Sequence, residues 1–87
     1  MEHITAAGNT AVPAYLALVQ EGFRVQRRSV GDTEEWIAER DGLRISGSST
    51  LEVLGLCAMR QQRGETWKAE DAEIDDFLRQ FYSERER

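Results

Sequence analysis

The sequence predicts a small α+β domain of two layers, in the order α-β-β-β-α-α, with a three-stranded antiparallel meander covered on one face by helices. Asp41-Gly42 lies between two runs of strand-forming residues, and Asp-Gly in that setting is a strong hairpin signal. The segment from Val30 to Thr33 supplies the other turn. Between these turns, apolar and charged residues alternate with the period of two that a half-buried sheet requires.

The two turns also predict the strand register. The predicted pairs are Arg24 with Glu39, Arg28 with Glu35, Glu39 with Arg44, Arg40 with Leu43, Ala38 with Ile45, and Trp36 with Gly47. In this register one face collects apolar side chains and the other collects opposed charges, as stable cross-strand pairs require. The predicted inner, apolar face consists of Phe23, Val25, Trp36, Ala38, Leu43 and Ile45.

The first helix is predicted from an N-cap at Thr10 to Glu21, with Gly22 as the residue that ends it. The second helix opens with Ser49 and Glu52, which form a Ser-x-x-Glu capping box. It is apolar on nearly every side for two turns, so we expect cover from more than one direction. A glycine inside this helix, Gly55, predicts a close helix crossing there together with Ala58.

The third helix is predicted from its acidic start at Glu70, because acids favour the positive end of the helix dipole. Its apolar residues repeat at helical spacing as one stripe, namely Ile74, Phe77, Leu78 and Phe81. The domain organisation predicted is a loose lead-in over 1–9, one domain over 10–83 and a frayed end over 84–87.

Composition and net charge restrict the classes of function that this chain can have. The 87 residues carry a formal net charge of −5, which disfavours binding to the phosphate backbone of nucleic acids. No apolar run approaches a membrane span, no signal peptide is recognisable, and Cys57 is the only cysteine. We therefore expect a cytoplasmic protein without disulfides that binds neither nucleic acid nor membrane, and we interpret Cys57 as a buried apolar residue.

No motif for catalysis, metal binding or a cofactor is present. The only histidine, His3, lies in the lead-in, where no partner would orient it. The acids around Asp71 lack the spacing of a calcium loop, and the glycines do not form a phosphate-binding loop. We expect no enzymatic activity, no catalytic or metal-ligating residue and no cofactor.

Two groups of residues are candidate binding sites on the sheet. Arg27 should lie beside Trp36 on the inner face, as a cation-π pair or, together with Trp67, as a site for an anion or small ligand. Ile37 should be a lone apolar residue on the outer face, where it could mark the centre of a protein contact.

The predicted function is a non-catalytic protein-binding module, an adaptor or a protein similar in size and acidity to bacterial immunity proteins. Three helices are more than a three-stranded sheet needs, so apolar helix surface should remain, with Leu18, Met59, Trp67 and Tyr82 as candidates. The other route to a partner is an unpaired edge strand, either Phe23 to Ser29 or Leu43 to Gly47. The partner should be another protein, basic in character, and homodimers are compatible with the pattern. The acidic rim of the interface is predicted at Glu65, Glu70, Glu73 and Asp76. The alternative is a small-ligand or anion-binding regulatory domain using Arg27, Trp36 and Trp67.

Overall fold

The computed structural model describes residues 1–6 and 8–82 and has the predicted element order. The predicted frayed end over 84–87 lies outside the described residues. The elements are α1 (Ala11–Gln20), β1 (Arg24–Val30), β2 (Thr33–Arg40), β3 (Leu43–Gly47), α2 (Thr50–Arg63), a 3-10 turn (Gly64–Thr66) and α3 (Asp71–Tyr82). The three strands form one open antiparallel sheet in the order β1-β2-β3.

The predicted strand register is confirmed at every pair. Arg24 lies opposite Glu39 in β1–β2, and Ala38 lies opposite Ile45 in β2–β3. Asp41 and Gly42 both have positive φ, at 49° and 81°, which is the backbone that the two-residue turn needs. Asp41 tolerates this conformation better than most side chains, and Gly42 adopts it without steric cost.

The core lies between the inner face of the sheet and the two helices α1 and α2. Its buried residues come from all of these elements and are Leu18, Phe23, Ala38, Ile45, Val53 and Cys57. Val25, Trp36, Leu43, Leu54 and Leu56 are half-buried around them. The apolar face predicted from alternation is therefore the face that the helices cover.

The end of α1 joins the helix directly to the sheet. Gly22 has φ 93°, its N–H donates to the carbonyl of Val19, and the N–H of Phe23 donates to the carbonyl of Leu18. This pair of bonds is a Schellman motif, in which the residues three before and two after the C-cap commonly make an apolar contact. Leu18 and Phe23 are those two residues, and both lie in the core cluster.

The start of α1 differs from the prediction. Thr10 occupies the N-cap position, but its side chain makes no capping bond. Asn9 takes that role instead, since its Oδ1 accepts from the N–H of Ala11 at 3.1 Å. Asparagine is an equally good capping residue, and its amide oxygen reaches the same unpaired N–H groups from one position earlier.

The cap of α2 is confirmed on one side and shifted on the other. Ser49 Oγ accepts from the N–H of Glu52 at 3.0 Å, as predicted. The Glu52 carboxylate accepts from the N–H of Ser48 at 2.7 Å, rather than from that of Ser49. The hydrogen bonds from the Ser48 backbone and hydroxyl lower the pKa of Glu52. The residue that follows β3 and the first turn of α2 are thereby tied together.

The prediction that α2 is covered at Gly55 is wrong for the single chain. A Cβ built on Gly55 would meet no atom within 4 Å, and Ala58 is exposed. Only Val53 and Cys57 of the middle of α2 are buried, while Leu51 and Met59 are exposed. α2 therefore contacts the sheet and α1 along one side and leaves the other side open.

The outer face of the sheet carries rows of ion pairs. Glu39 accepts from Arg44 Nε at 2.8 Å and from Arg24 Nη2 at 3.3 Å, and Arg28 pairs with Glu35 at 2.6 Å. The hydrogen bond from Arg44, followed by its charge and the smaller influence of Arg24, lowers the pKa of Glu39. These pairs confirm the predicted alternation of charges across the strands.

Replacing Gly55 by alanine should raise the free energy of unfolding by about 0.5–1 kcal/mol, because alanine is the better helix former and the added methyl meets open space. Gly47→Ala is the comparison variant. Its Cβ would lie 2.7 Å from Glu52 Oε1, and displacing that oxygen would break its hydrogen bond from the Ser48 N–H, so this variant should be less stable. Urea unfolding of both variants checks this. A loss of stability in Gly55→Ala would mean that another element packs on α2 there.

The lowered pKa of Glu39 predicts a pH-dependent contribution to stability. That contribution is fully present above the ordinary glutamate value of 4.5 and is lost as the pH falls through the lower folded-state value. Glu39→Gln should therefore be destabilising at neutral pH and nearly neutral in strong acid, as measured by urea unfolding. An equal loss of stability at neutral pH and in strong acid would contradict this prediction.

Candidate protein-binding surface

The apolar residues of α3 are exposed to solvent. We call Ile74, Phe77, Leu78, Phe81 and Tyr82 the α3 stripe. Their exposed fractions run from 44% at Ile74 to 68% at Tyr82, and α3 has no buried residue. Phe77 contacts the rings of Phe81 and Tyr82 at centroid distances of 5.2 and 6.1 Å. The aromatic side chains thus contact one another instead of the core.

α3 is therefore not part of the helical layer over the sheet, and the predicted cover by three helices is supplied by two. Within the described chain, α3 makes no extensive packing contact with the sheet, α1 or α2. The radius of gyration is 16.2 Å, whereas a compact chain of this length has about 12 Å. A helix that projects from the body of the domain accounts for part of this difference.

The junction between α2 and α3 is held by Arg63. Its Nη2 donates to both carboxylate oxygens of Glu73 at 2.9 and 3.1 Å, and its Nε donates to the carbonyl of Trp67 at 2.9 Å. Glu73 also accepts from the N–H of Glu70 at 2.9 Å. The bond from the Glu70 backbone and then the bond from Arg63 lower the pKa of Glu73. Charge-assisted hydrogen bonds therefore join the start of α3 to the end of α2.

The acids predicted as a rim take different positions. Glu73 is engaged in the junction, and Asp76 pairs with Arg79 at 3.1 Å. Asp76 lies two residues past Ile74, about 200° around the helix axis, and so on the back of the stripe. Asp71 and Asp75 flank the stripe instead, because residues three and four apart are neighbours on a helix.

The two other predicted rim residues lie before α3. Glu70 contributes its backbone N–H to the junction, as described above, and its side chain is exposed. Glu65 lies in the 3-10 turn, 4.0 Å from the guanidinium of Arg60 and almost fully exposed. Both acids therefore lie at the base of α3, away from its aromatic residues.

Ile37 is not exposed, contrary to the prediction. It lies on the outer face between Gln26 and Ser46, as the register required, yet only 5% of its surface is accessible. The ion-paired arginines and glutamates in the neighbouring rows have long aliphatic parts, and such side chains cover apolar surface while their charged ends stay in water. The outer face therefore offers no apolar centre for a protein contact.

Arg27 does lie opposite Trp36, but its partner is an acid. Arg27 Nη1 pairs with Glu34 at 2.6 Å, and the indole Nε1 of Trp36 donates to the other oxygen of Glu34 at 3.2 Å. The cation-π contact predicted for Arg27 is seen elsewhere, with Arg40 4.5 Å above the ring of Phe23. Glu34 thus neutralises the arginine that was predicted to bind an anion.

Trp67 lies far from this group in the fold. It lines a cavity of about 210 Å³ between β3 and α2, together with Leu43, Ile45, Leu56 and Arg60. Trp36 lines a different cavity, beside α1. The three residues of the ligand-binding alternative are therefore not brought together at either cavity.

The other helical candidates divide into exposed and buried residues. Met59 and Tyr82 are exposed, and Trp67 is half-buried. Leu18 is fully buried, so it cannot contribute to a surface. Its side chain belongs to the core because the Schellman motif directs it towards Phe23.

The described residues offer few side-chain arrangements suited to catalysis or metal binding. Within residues 1–6 and 8–82 no three His, Cys, Asp or Glu side chains are grouped as a metal site would require, and no helix there is long and apolar enough to cross a membrane. Cys57 is buried, and burial raises the pKa of its thiol. No protein family, curated protein or solved structure matches the chain.

Two structural features were not predicted from the sequence, namely the exposure of the whole α3 stripe and the exposure of much of α1. The second feature had a signal, because α1 has no charged residue at all. A helix without charged residues has no polar face to expose to water, and this pattern indicates that a partner covers part of the helix.

Cys57→Ser should leave binding unchanged and lower the free energy of unfolding by about 1–2 kcal/mol, because a hydroxyl is placed in an apolar site. In the native protein the thiol should react slowly with a disulfide reagent, since it is buried and its raised pKa disfavours the thiolate. Reaction in denaturant gives the reference rate. Equal rates in the two states would contradict the burial of Cys57.

Proposed function

We propose that this chain is a non-catalytic protein-binding module and that the α3 stripe is its binding surface. The observation that carries the proposal is the exposure of five large apolar side chains along one side of one helix. Soluble proteins rarely leave a contiguous apolar patch of this kind uncovered, and such patches mark interaction sites. An amphipathic helix presents the anchors of a helix-in-groove interaction at this spacing.

The chemistry of the stripe indicates the chemistry of the partner. Phe77, Phe81 and Tyr82 are of the residue types that are enriched at the centre of interfaces. Asp71 and Asp75 flank them and make no ion pair within the described residues. An apolar groove edged by lysine or arginine would match both features, and the net charge of −5 would attract such a partner at long range.

The position of α3 supports this role further. Arg63 and Glu73 hold the start of the helix to the end of α2, so the stripe is presented at a defined angle. A helix that is already formed and oriented loses less conformational entropy on binding than a segment that folds on contact. The domain would thus act as a scaffold that displays one recognition helix.

The experiment compares the proteins that co-purify with the tagged wild-type chain and with Phe81→Asp, which places a charge in the stripe. The recovered partner should be lost with Phe81→Asp and retained with Gln80→Asp, the matched control that adds the same charge to the adjacent residue outside the stripe. Circular dichroism should show that both variants are folded, because neither position is buried. Equal recovery by wild type and Phe81→Asp would refute the proposal.

Electrostatic steering gives a second test on the recovered partner. Asp71→Lys combined with Asp75→Lys should slow association and weaken its dependence on salt, whereas Asp76→Lys on the back of the helix should have a smaller effect. Glu73 is unsuitable for this purpose, since it anchors the junction. Stopped-flow or surface-binding kinetics at low and high salt measure the rates. Unchanged rates in the double variant would exclude a basic partner.

A further inference from the structure

A second apolar surface lies on α1. The helix has no charged residue, and only Ala14 and Leu18 are buried. The side of the helix opposite Ala14 and Leu18 carries four exposed residues, which we call the α1 outer face: Val12, Tyr15, Leu16 and Val19. Their exposed fractions lie between 41% and 55%. A helix that is apolar on all sides normally has all sides covered, so the single chain leaves this surface incomplete.

A recess adjoins the α1 outer face. It has a volume of about 300 Å³ and is lined by Ala11, Val12, Tyr15 and Trp36, all apolar or aromatic. An apolar recess next to an apolar helix face is the arrangement that accepts an aromatic anchor from a partner. The surface is thus shaped to take a helix that carries aromatic side chains.

The α3 stripe of the same chain is not positioned to fill it. α1 and α2 run side by side with their starts together, since Thr50 Oγ1 donates to the carbonyl of Ala11 and Gln61 Nε2 donates to Glu21 at the other end. The recess is at the starting end of this pair, whereas α3 leaves from the end of α2. The fourteen residues of α2 separate the two by about 20 Å.

A second copy of the chain meets both requirements. In a two-fold symmetric pair, α3 of each copy can lie on the α1 outer face of the other, so one type of contact covers both apolar surfaces twice. A whole aromatic side chain has an area of about 150–250 Å², so the exposed side chains of the two surfaces amount to an area on the order of 800 Å² per copy. That area is what each partner contributes to an interface of standard size. Either surface alone supplies about half of that area, so a single contact should bind more weakly than the two contacts of the symmetric pair.

Charge does not oppose this contact locally. α1 carries no acid to repel Asp71 and Asp75 of the approaching α3, and Glu21 at its end is engaged with Arg40 and Gln61. The repulsion that remains comes from the net charge of −5 on each copy. Salt screens that repulsion, so added salt should strengthen association of the two copies.

We infer that the chain without its partner protein is a reciprocal dimer in which the α3 stripe of each copy covers the α1 outer face and recess of the other. The inference rests on the proposed function, because both assign the α3 stripe to protein binding. In this arrangement the dimer conceals the surface that the partner protein needs. Binding of that partner therefore competes with self-association.

Sedimentation velocity over a range of concentrations tests the dimer. The wild type should be dimeric when concentrated and monomeric when dilute, and both Leu16→Asp and Phe81→Asp should remain monomeric throughout. Gln80→Asp, on the same helix as Phe81, should behave as the wild type. A wild type that is monomeric at every concentration, or a dimer that Leu16→Asp leaves intact, would overturn the inference.

Mixing the two variants tests the reciprocal arrangement. Leu16→Asp keeps an intact α3 stripe and Phe81→Asp keeps an intact α1 outer face, so a mixture retains one of the two contacts. It should form a heterodimer at least about tenfold more tightly than either variant associates with itself. No association in the mixture would indicate that like surfaces pair with like, which contradicts the inference.

The experiment also separates this inference from the proposed function. Leu16→Asp should still recover the partner protein, and more of it than the wild type does, because its α3 stripe is free. Salt should strengthen the dimer and weaken binding of a basic partner. Recovery that is equal for wild type and Leu16→Asp, with both monomeric, would remove the dimer and leave the proposed function standing. If instead both Leu16→Asp and Phe81→Asp lower the melting temperature of a monomer, α3 folds back on its own chain and the dimer is refuted.

Discussion

The burial of one face of the meander under α1 and α2 is the interaction on which the rest of the structure depends. It is secured at both helix ends, by the Schellman motif that brings Leu18 onto Phe23 and by the hydrogen bonds that tie Ser48 and Glu52 across the start of α2. Because side chains alternate along a strand, a slip of one residue would turn the inner face out and bury the glutamates. The core thus fixes which side chains face inwards, and the turns and cross-strand ion pairs exclude a slip of two residues.

The outer face of the sheet shows what exposed ion pairs contribute. Each pair is solvated and adds little stability by itself. Together, however, the long side chains in these rows cover Ile37, so the face presents charge and no apolar centre. The large exposed apolar side chains therefore lie mainly on the helices rather than on the outer face of the sheet.

The helices carry more apolar surface than the sheet can cover. A three-stranded sheet has room for two helices, and α1 and α2 occupy it, so α3 is excluded from the layer and α1 keeps one side exposed. The hydrogen bonds between Arg63 and Glu73 join the start of α3 to the end of α2. The exposed apolar surface is a consequence of this geometry, and it supplies both the proposed recognition helix and the proposed contact between copies.

The sequence by itself determined the strands, their register and the approximate limits of the helices, because turn residues, caps and the two periodicities act over a few residues. Four features were decided only by the tertiary structure. Ile37 is buried, and Arg27 pairs with Glu34 instead of stacking on Trp36. Gly55 faces open space, and α3 has no buried residue. An alternation of side chains tells which way each one points. It does not predict whether long neighbouring side chains cover an apolar residue, or whether other helices already cover the sheet face on which a helix would pack. Both depend on contacts between residues that are distant in the chain.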